Sequence, residues 1–476
     1  MLQHKDTHKI SELKNGFTQA WLEPDFIFRS LKCFSFSSLN KGLAFFKLKG
    51  YSFEWVISIL IAMPFMGIKT VNGLSGLVEA KKDVFYRLKN NVNICWRYII
   101  WLFAMKFIKL TAQSSDSSLI SCIIFDDTLL AKSGKFIEKV SKVWDHVQQK
   151  SVLGFKLLLM GYWDGASFIP LDFSLHREKG KNKQNPFGLR KKDVRNQYKK
   201  NRIKGSHSYD RAMEADDSKI SAMLRMLKRA VSHKINFDYV LTDSWFTCEA
   251  LIEAVWNIKH KQVHLIGMYS KVRTLFGFNG KELTYAQIRN CLGKPKRCRK
   301  VKLQYLQTKV IYKGRELQLF FSRQGKNGKW KVILTTNTSI SFLKLIEIYQ
   351  TRWAIEVFFK EAKQLLSMGK CQSNDFDAQI TDLSITMIQH TLLTFRYRYD
   401  NYESKGALFD QLKENINQHR LNERLWGLFL EIINLLATLF DGVDEMDLFT
   451  KIINDDAAME TLNRLFLIDQ QPREAA

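Results

Sequence analysis

Apolar positions along this chain change texture twice. Up to about residue 115 they recur at helical spacing among basic residues, as in FEWVISILIAM, SGLVEAKKDVFYRLKN and NICWRYIIWLFAMKFIKL, and predict helices. Short apolar runs bounded by polar or turn residues follow. SLISCIIFDD, GFKLLLMGYWD and SFIPLDFSLH predict three successive strands. A helix-period segment over 218–234, the strand FDYVLTDSW, the helix TCEALIEAVWNI and the strand QVHLIGMYS complete the order of a mixed α/β sheet. From about 271 to 329 the chain turns basic and strand-like with glycine turns, as a β insertion would. WKVILTTN then returns to the core, and from about 396 the pattern is helical again. The expected segments are therefore 1–115, 116–270, 271–329, 330–395 and 396–476.

YQTRWAIEVFFKEAK, residues 349–363, reads as one helix. At ~100° per residue, Tyr349, Arg352, Glu356, Lys360 and Lys363 fall within about 80° of arc, beside an apolar face that contains Ile355, Phe358 and Phe359. A solvated face with i,i+4 ion pairs would account for such a stripe. Its company points further. Asp126 and Asp127 stand at the expected end of the first strand, and Asp243 ends the fourth, where carboxylates can project into a crevice. Each alone could cap a turn. With Glu356 they supply three acidic positions from separate elements, the oxygen donors that hard divalent cations require. Two such ions about 4 Å apart can drive phosphodiester cleavage.

Charge directs attention to a polyanion. The 476 residues hold 73 Lys and Arg against 47 Asp and Glu, a formal charge of +26. Residues 401–476 run the other way, with 7 bases and 14 acids. Residues 177–211 carry 13 bases and 3 acids, with Phe187 and Tyr198 among them, and are expected to be a mobile arm that orders on DNA. GKPKRCRKVK in the insertion is expected to track the same backbone. Seven cysteines without a C-x-x-C pair indicate neither a disulfide framework nor a zinc site, and a cytoplasmic location is expected. The apolar stretch around Glu54 and Pro64 is too short for a membrane span and is expected to be a buried helix.

These residues carry a resemblance. Tyr349, Arg352, Glu356 and Lys363 match the Y-(2)-R-(3)-E-(6)-K signature of the DDE-type bacterial insertion-sequence transposases of the IS-four family. D-T at 127–128 and T-D at 242–243 look like the family's first two acidic motifs, and the likeness runs over about 116–395. It implies an α/β fold: a ribonuclease H-like mixed-sheet core with a β-strand insertion, flanked by helical N- and C-terminal regions. By matching position, Asp127, Asp243 and Glu356 would be the catalytic metal ligands, with Asp127 favoured over Asp126. The ions implied are two Mg²⁺, with Mn²⁺ as a substitute. Arg352, Lys360 and Lys363 would grip phosphates, Tyr349 would contact the DNA backbone, and Trp330 would stack on an extruded base. The implied activity is cut-and-paste transposition on double-stranded DNA, both terminal inverted repeats and target. A homodimer is implied, with an end-reading N-terminal region, an associating C-terminal region and no membrane partner. The competing readings are another ribonuclease H-like nuclease and an inactive transposase-derived DNA-binding protein.

Overall fold

The computed structural model describes residues 34, 50–74, 78, 80–112, 119–145, 148–180, 182–259, 262–399 and 402–414, with short stretches between 450 and 461. Two compact units emerge, residues 1–77 with 401–476, and residues 78–400. The three helices expected in the N-terminal region fall almost wholly among the described residues, whereas residues 1–33 and most of the acidic C-terminal segment lie outside them.

In the first unit, helix α1 (Phe53–Ala62) starts where the Ser52 side chain accepts from Trp55 N at 3.1 Å. Phe53, Val56, Ile57, Leu60 and Ile61 are buried, so the apolar stretch is a core helix as its length predicts. Among the described residues no helix is long and apolar enough to cross a membrane.

The second unit begins with α2 (Lys82–Lys89) and α3 (Trp96–Thr111), which the sequence grouped with the N-terminal helices. The strands β1 (Cys122–Ala131), β2 (Ser141–Asp145), β3 (Lys150–Trp163) and β4 (Phe168–His176) follow. β3 is antiparallel to β1 along one edge and to β2 and β4 along the other. Then come the short helix α4 (Lys191–Arg195), α5 (His207–Glu214), α6 (Lys219–Ser232), β5 (Tyr239–Thr242), α7 (Glu249–Trp256) and β6 (His264–Met268). β5 lies parallel to β1 and to β6, so a three-strand antiparallel meander is extended by two parallel strands. Every residue of β4 and β5 is buried, as expected of strands covered on both faces.

The insertion contains β7 (Leu275–Phe278), β8 (Lys281–Thr284), α8 (Tyr285–Cys291), β9 (Lys296–Cys298), β10 (Leu303–Tyr312) and β11 (Arg315–Gln324). It is no detached sheet. β11 pairs with β12 (Lys331–Thr335), which is antiparallel to β6, so the insertion prolongs the core sheet. The chain continues through α9 (Phe342–Gln350), α10 (Trp353–Gln364) and the buried α11 (Phe376–Tyr399).

Two expectations change here. The stretch 349–363 is two helices, because the backbone between α9 and α10 closes i→i−3 bonds, Arg352 N to Tyr349 O and Ala354 N to Thr351 O. The 177–211 arm is folded onto the core. Lys200 bonds Asp375 and Asp377 at 2.8 and 2.9 Å, and Arg202 bonds Glu138 at 2.6 Å, so these bases are committed to internal ion pairs.

Candidate active site

Asp126 and Asp127 lie in the middle of β1, which continues to Ala131. What ends near them is β5: the parallel pairing stops at Ile124 opposite Leu241. Carrying that register forward sets Asp126 level with Asp243, just past the last residue of β5. Neighbouring positions in parallel strands share a face, whereas consecutive residues alternate. Asp126 and Asp127 therefore face opposite sides of the sheet, and the Asp243 carboxylate acts electrostatically on Asp126.

Side-chain partners follow this division. Asp126 Oδ2 accepts from Arg352 Nη1 at 2.9 Å, and Arg352 Nη2 donates to Glu356 Oε1 at 2.5 Å. Asp127 instead pairs with Lys219 on α6, whose ammonium also sits 4.2 Å from the Trp245 ring centroid. Asp126 thus shares the Arg352 guanidinium with Glu356, while Asp127 is paired with Lys219. Burial pushes the Asp126 carboxyl up to about 7; Arg352 works against this, while the charges of Asp243 and Asp127 add to it.

Asp243 is held by its own turn. Its Oδ1 accepts from Trp245 N and Phe246 N, both at 3.0 Å, and its carbonyl accepts from Thr247 Oγ1 at 2.7 Å. Thr247 Oγ1 also meets Thr242 Oγ1 at 2.8 Å. Gly267 on β6 makes this possible, since a Cβ there would collide with Thr247 Oγ1 and press on Thr242 Oγ1 at 2.9 Å. Gly267→Ala is therefore expected to cost about 1–3 kcal/mol and to weaken whatever chemistry Asp243 supports. Thermal denaturation checks this; an unchanged Tm would show that the threonines adjust freely.

Tyr349 closes α9 onto the same place. Its hydroxyl donates to the Thr242 carbonyl at 3.1 Å, and burial pushes its pKa up to about 12. Its contact in this structure is with the strand end that precedes Asp243. Lys360 is exposed one turn beyond Glu356 on α10. Lys363, at the far end of that helix, donates to Thr128 Oγ1 at 2.7 Å.

Trp330 stands before β12 with the Arg323 guanidinium 4.5 Å from its ring centroid. Arg323, Lys329 and Lys331 line a groove of about 680 Å³ that reaches Tyr349 and Arg352. The GKPKRCRKVK bases are exposed on and around β9. Lys219 and Gly267 carried no signal in the sequence, because each acts through a neighbour remote along the chain, and Arg323 was one base among many in the insertion. Thr247 could have been found from its i+4 spacing to Asp243.

Among the described residues no three His, Cys, Asp or Glu side chains close into a metal-ligand group. The Arg352 guanidinium bridges Asp126 and Glu356, a cation already seated between the two carboxylates. In charge and donor type, Asp126, Asp243 and Glu356 fit a hard divalent ion.

No curated protein matches the chain. Residues 201–392, which include Asp243, the β insertion and Glu356 but begin after β1, match the family described as the transposase DDE domain, and this match supports a DDE-type transposase.

Proposed function

We propose that this protein is a cut-and-paste DNA transposase of the insertion-sequence type that carries the Y-R-E-K signature. Its core is ribonuclease H-like: β3 and β4 follow β1 as a meander, and β5 and β6 add parallel strands on the other side. The observation that carries the reading is the register of β1 and β5, which sets Asp126 level with Asp243 while Arg352 connects Asp126 to Glu356.

In this reading Asp126, Asp243 and Glu356 hold Mg²⁺, or Mn²⁺ in its place. The chemistry supplied by two bound ions is activation of an attacking water or 3′-hydroxyl and stabilisation of the leaving oxygen. The chain's own groups do the rest. Arg352 holds Asp126 and Glu356 in place and offers its charge to a scissile phosphate, which Lys360 and Lys363 also approach. Tyr349 acts chiefly by holding the strand end that presents Asp243. The groove beside Arg323, Lys329 and Lys331 takes the transposon end, and Trp330 offers a stacking surface for an extruded base, worth roughly 1–3 kcal/mol. The working form is a homodimer bridging two ends.

The test is nicking, with Mg²⁺, of a plasmid that carries the repeats flanking the coding region. Glu356→Gln should lose cleavage by about 10²-fold or more and keep end binding, since it removes charge and little shape. In the same assay Trp330→Ala should impair the later step that extrudes a base more than the first nick. Normal cutting by Glu356→Gln would end the metal assignment, and equal loss at both steps would make Trp330 a packing residue.

A further inference from the structure

Beyond β1, residues 132–140 and 188–204 pack into one surface. Tyr198 N donates to Phe136 O at 2.8 Å, and Gln197 Nε2 to Val140 O at 2.7 Å. This surface exposes bulky apolar side chains, Phe136 at 56 %, Tyr198 at 43 % and Ile203 at 83 %. The same two segments carry the exposed bases Lys135, Lys191, Lys192, Arg195, Lys199 and Lys204. The acids of the two segments are already taken, Glu138 by Arg202 and Asp193 by Arg190. A solvated basic face accounts for the lysines but not for three large apolar groups among them. Duplex DNA fits both features, because phosphates meet the bases while apolar groups press on sugars or wedge at base steps.

The position of this surface separates it from the groove already described. That groove opens at the Tyr349–Arg352 start of α10. The new surface continues from the other end of the helix. There Lys363 meets Thr128, Lys132 Nζ donates to the carbonyls of Gly369 and Cys371 at 2.8 and 3.0 Å, and Glu138 N donates to Asn374 O at 2.9 Å. The two approaches thus lie toward opposite ends of the 12-residue α10, whose start carries the carboxylate cluster. Joining a 3′-hydroxyl to new DNA brings two duplexes to one catalytic centre.

Resting on the transposase reading, we propose that the Phe136–Tyr198–Ile203 surface binds the target duplex, leaving the Arg323 groove to the transposon end.

The test variant is Lys191→Glu, Lys192→Glu, Arg195→Glu, on α4, where no residue is buried and folding should be spared. Against a labelled random-sequence duplex of about 30 bp, affinity should fall at least ~10-fold, and the log–log salt slope should shallow by about 2–3. Phe136→Ala with Tyr198→Ala should weaken the same binding with the slope unchanged. With a pre-cleaved end and a plasmid target, the charge-reversed protein should lose joining at least ~10-fold while nicking of an end duplex stays within about threefold. Unchanged affinity for the random duplex overturns the proposal. So does nicking that falls in step with joining, which would assign the surface to the end. Wild-type protein that binds the random duplex through these residues but never nicks would retire the transposase reading and leave a duplex-binding surface.

Discussion

Asp126→Asn is expected to lower nicking about 10³-fold, whereas Asp127→Asn should stay within about tenfold of the unchanged protein. The difference follows from the pleat. Asp126 lies level with Asp243 and reaches Glu356 through Arg352, so on the proposed function its loss removes a cation ligand and the roughly 4 kcal/mol of transition-state stabilisation that such a ligand supports. Asp127 gives up only its pair with Lys219. Equal losses in the two variants would refute the facing assignment.

The same substitution has a signature in stability that needs no substrate. In the unfolded chain Asp126 ionises near the usual value of about 4, and in the folded protein near 7. Between these values the folded state keeps a proton that the unfolded state has lost. The folded protein is therefore favoured most at low pH and loses that advantage as pH rises through 7, by at most about 4 kcal/mol. Asparagine cannot ionise. Asp126→Asn should raise the Tm of chelator-treated protein at about pH 8 and leave it unchanged near pH 4. A gain confined to the acid side would reverse the sign and sink the account. Divalent cations should bind less tightly as pH falls below 7, because the protonated carboxyl has surrendered a ligand charge.

The second large effect lies away from the chemistry. Asp172 on β4 is buried and accepts from Arg97 Nε at 3.0 Å and Arg229 Nε at 2.6 Å, with Arg211 also near. Burial opposes its ionised form, but the three guanidiniums outweigh that and hold its carboxyl below the usual range. Glu214, at 2.7 Å from Arg97 and 3.2 Å from Arg211, is the second anion of the cluster. Asp172→Ala leaves three arginines facing one glutamate in the interior. The expected cost is about 3–5 kcal/mol, seen as a Tm fall on the order of 5 °C or more. The network also explains why α3 belongs to the core unit: Arg97, at its start, is tied to both β4 and α5. A variant melting within about 1 °C of the parent would show that the arginines find other anions or water.

Much of the core could be read along the chain. β1, β3, β4, β5 and β6 are the five expected apolar runs, and the helices over 218–234 and TCEALIEAVWNI lie where their periodicity indicated. Such signals are local, since burial of one face imposes its period on consecutive residues. The signature spacing likewise selected Arg352 and Glu356, because four residues make one helical turn and the two side chains do meet. Other features had no local counterpart. The break at Arg352 leaves 349–363 with the same apolar period as a continuous helix. The basic run over 177–211 gave no sign of Asp375, Asp377 and Glu138, which receive Lys200 and Arg202.

The aspartate doublet marks the boundary most clearly. Composition and spacing specified that carboxylates would stand on the first strand, on the fourth and on the signature helix, because each belongs to its own short pattern. Which of two adjacent aspartates meets Arg352 and which meets Lys219 depended on elements remote along the chain that pack on the two faces of β1. A pleated strand sends neighbouring side chains to opposite faces, so only the folded sheet could choose Asp126 for one side and give Asp127 to Lys219 on the other.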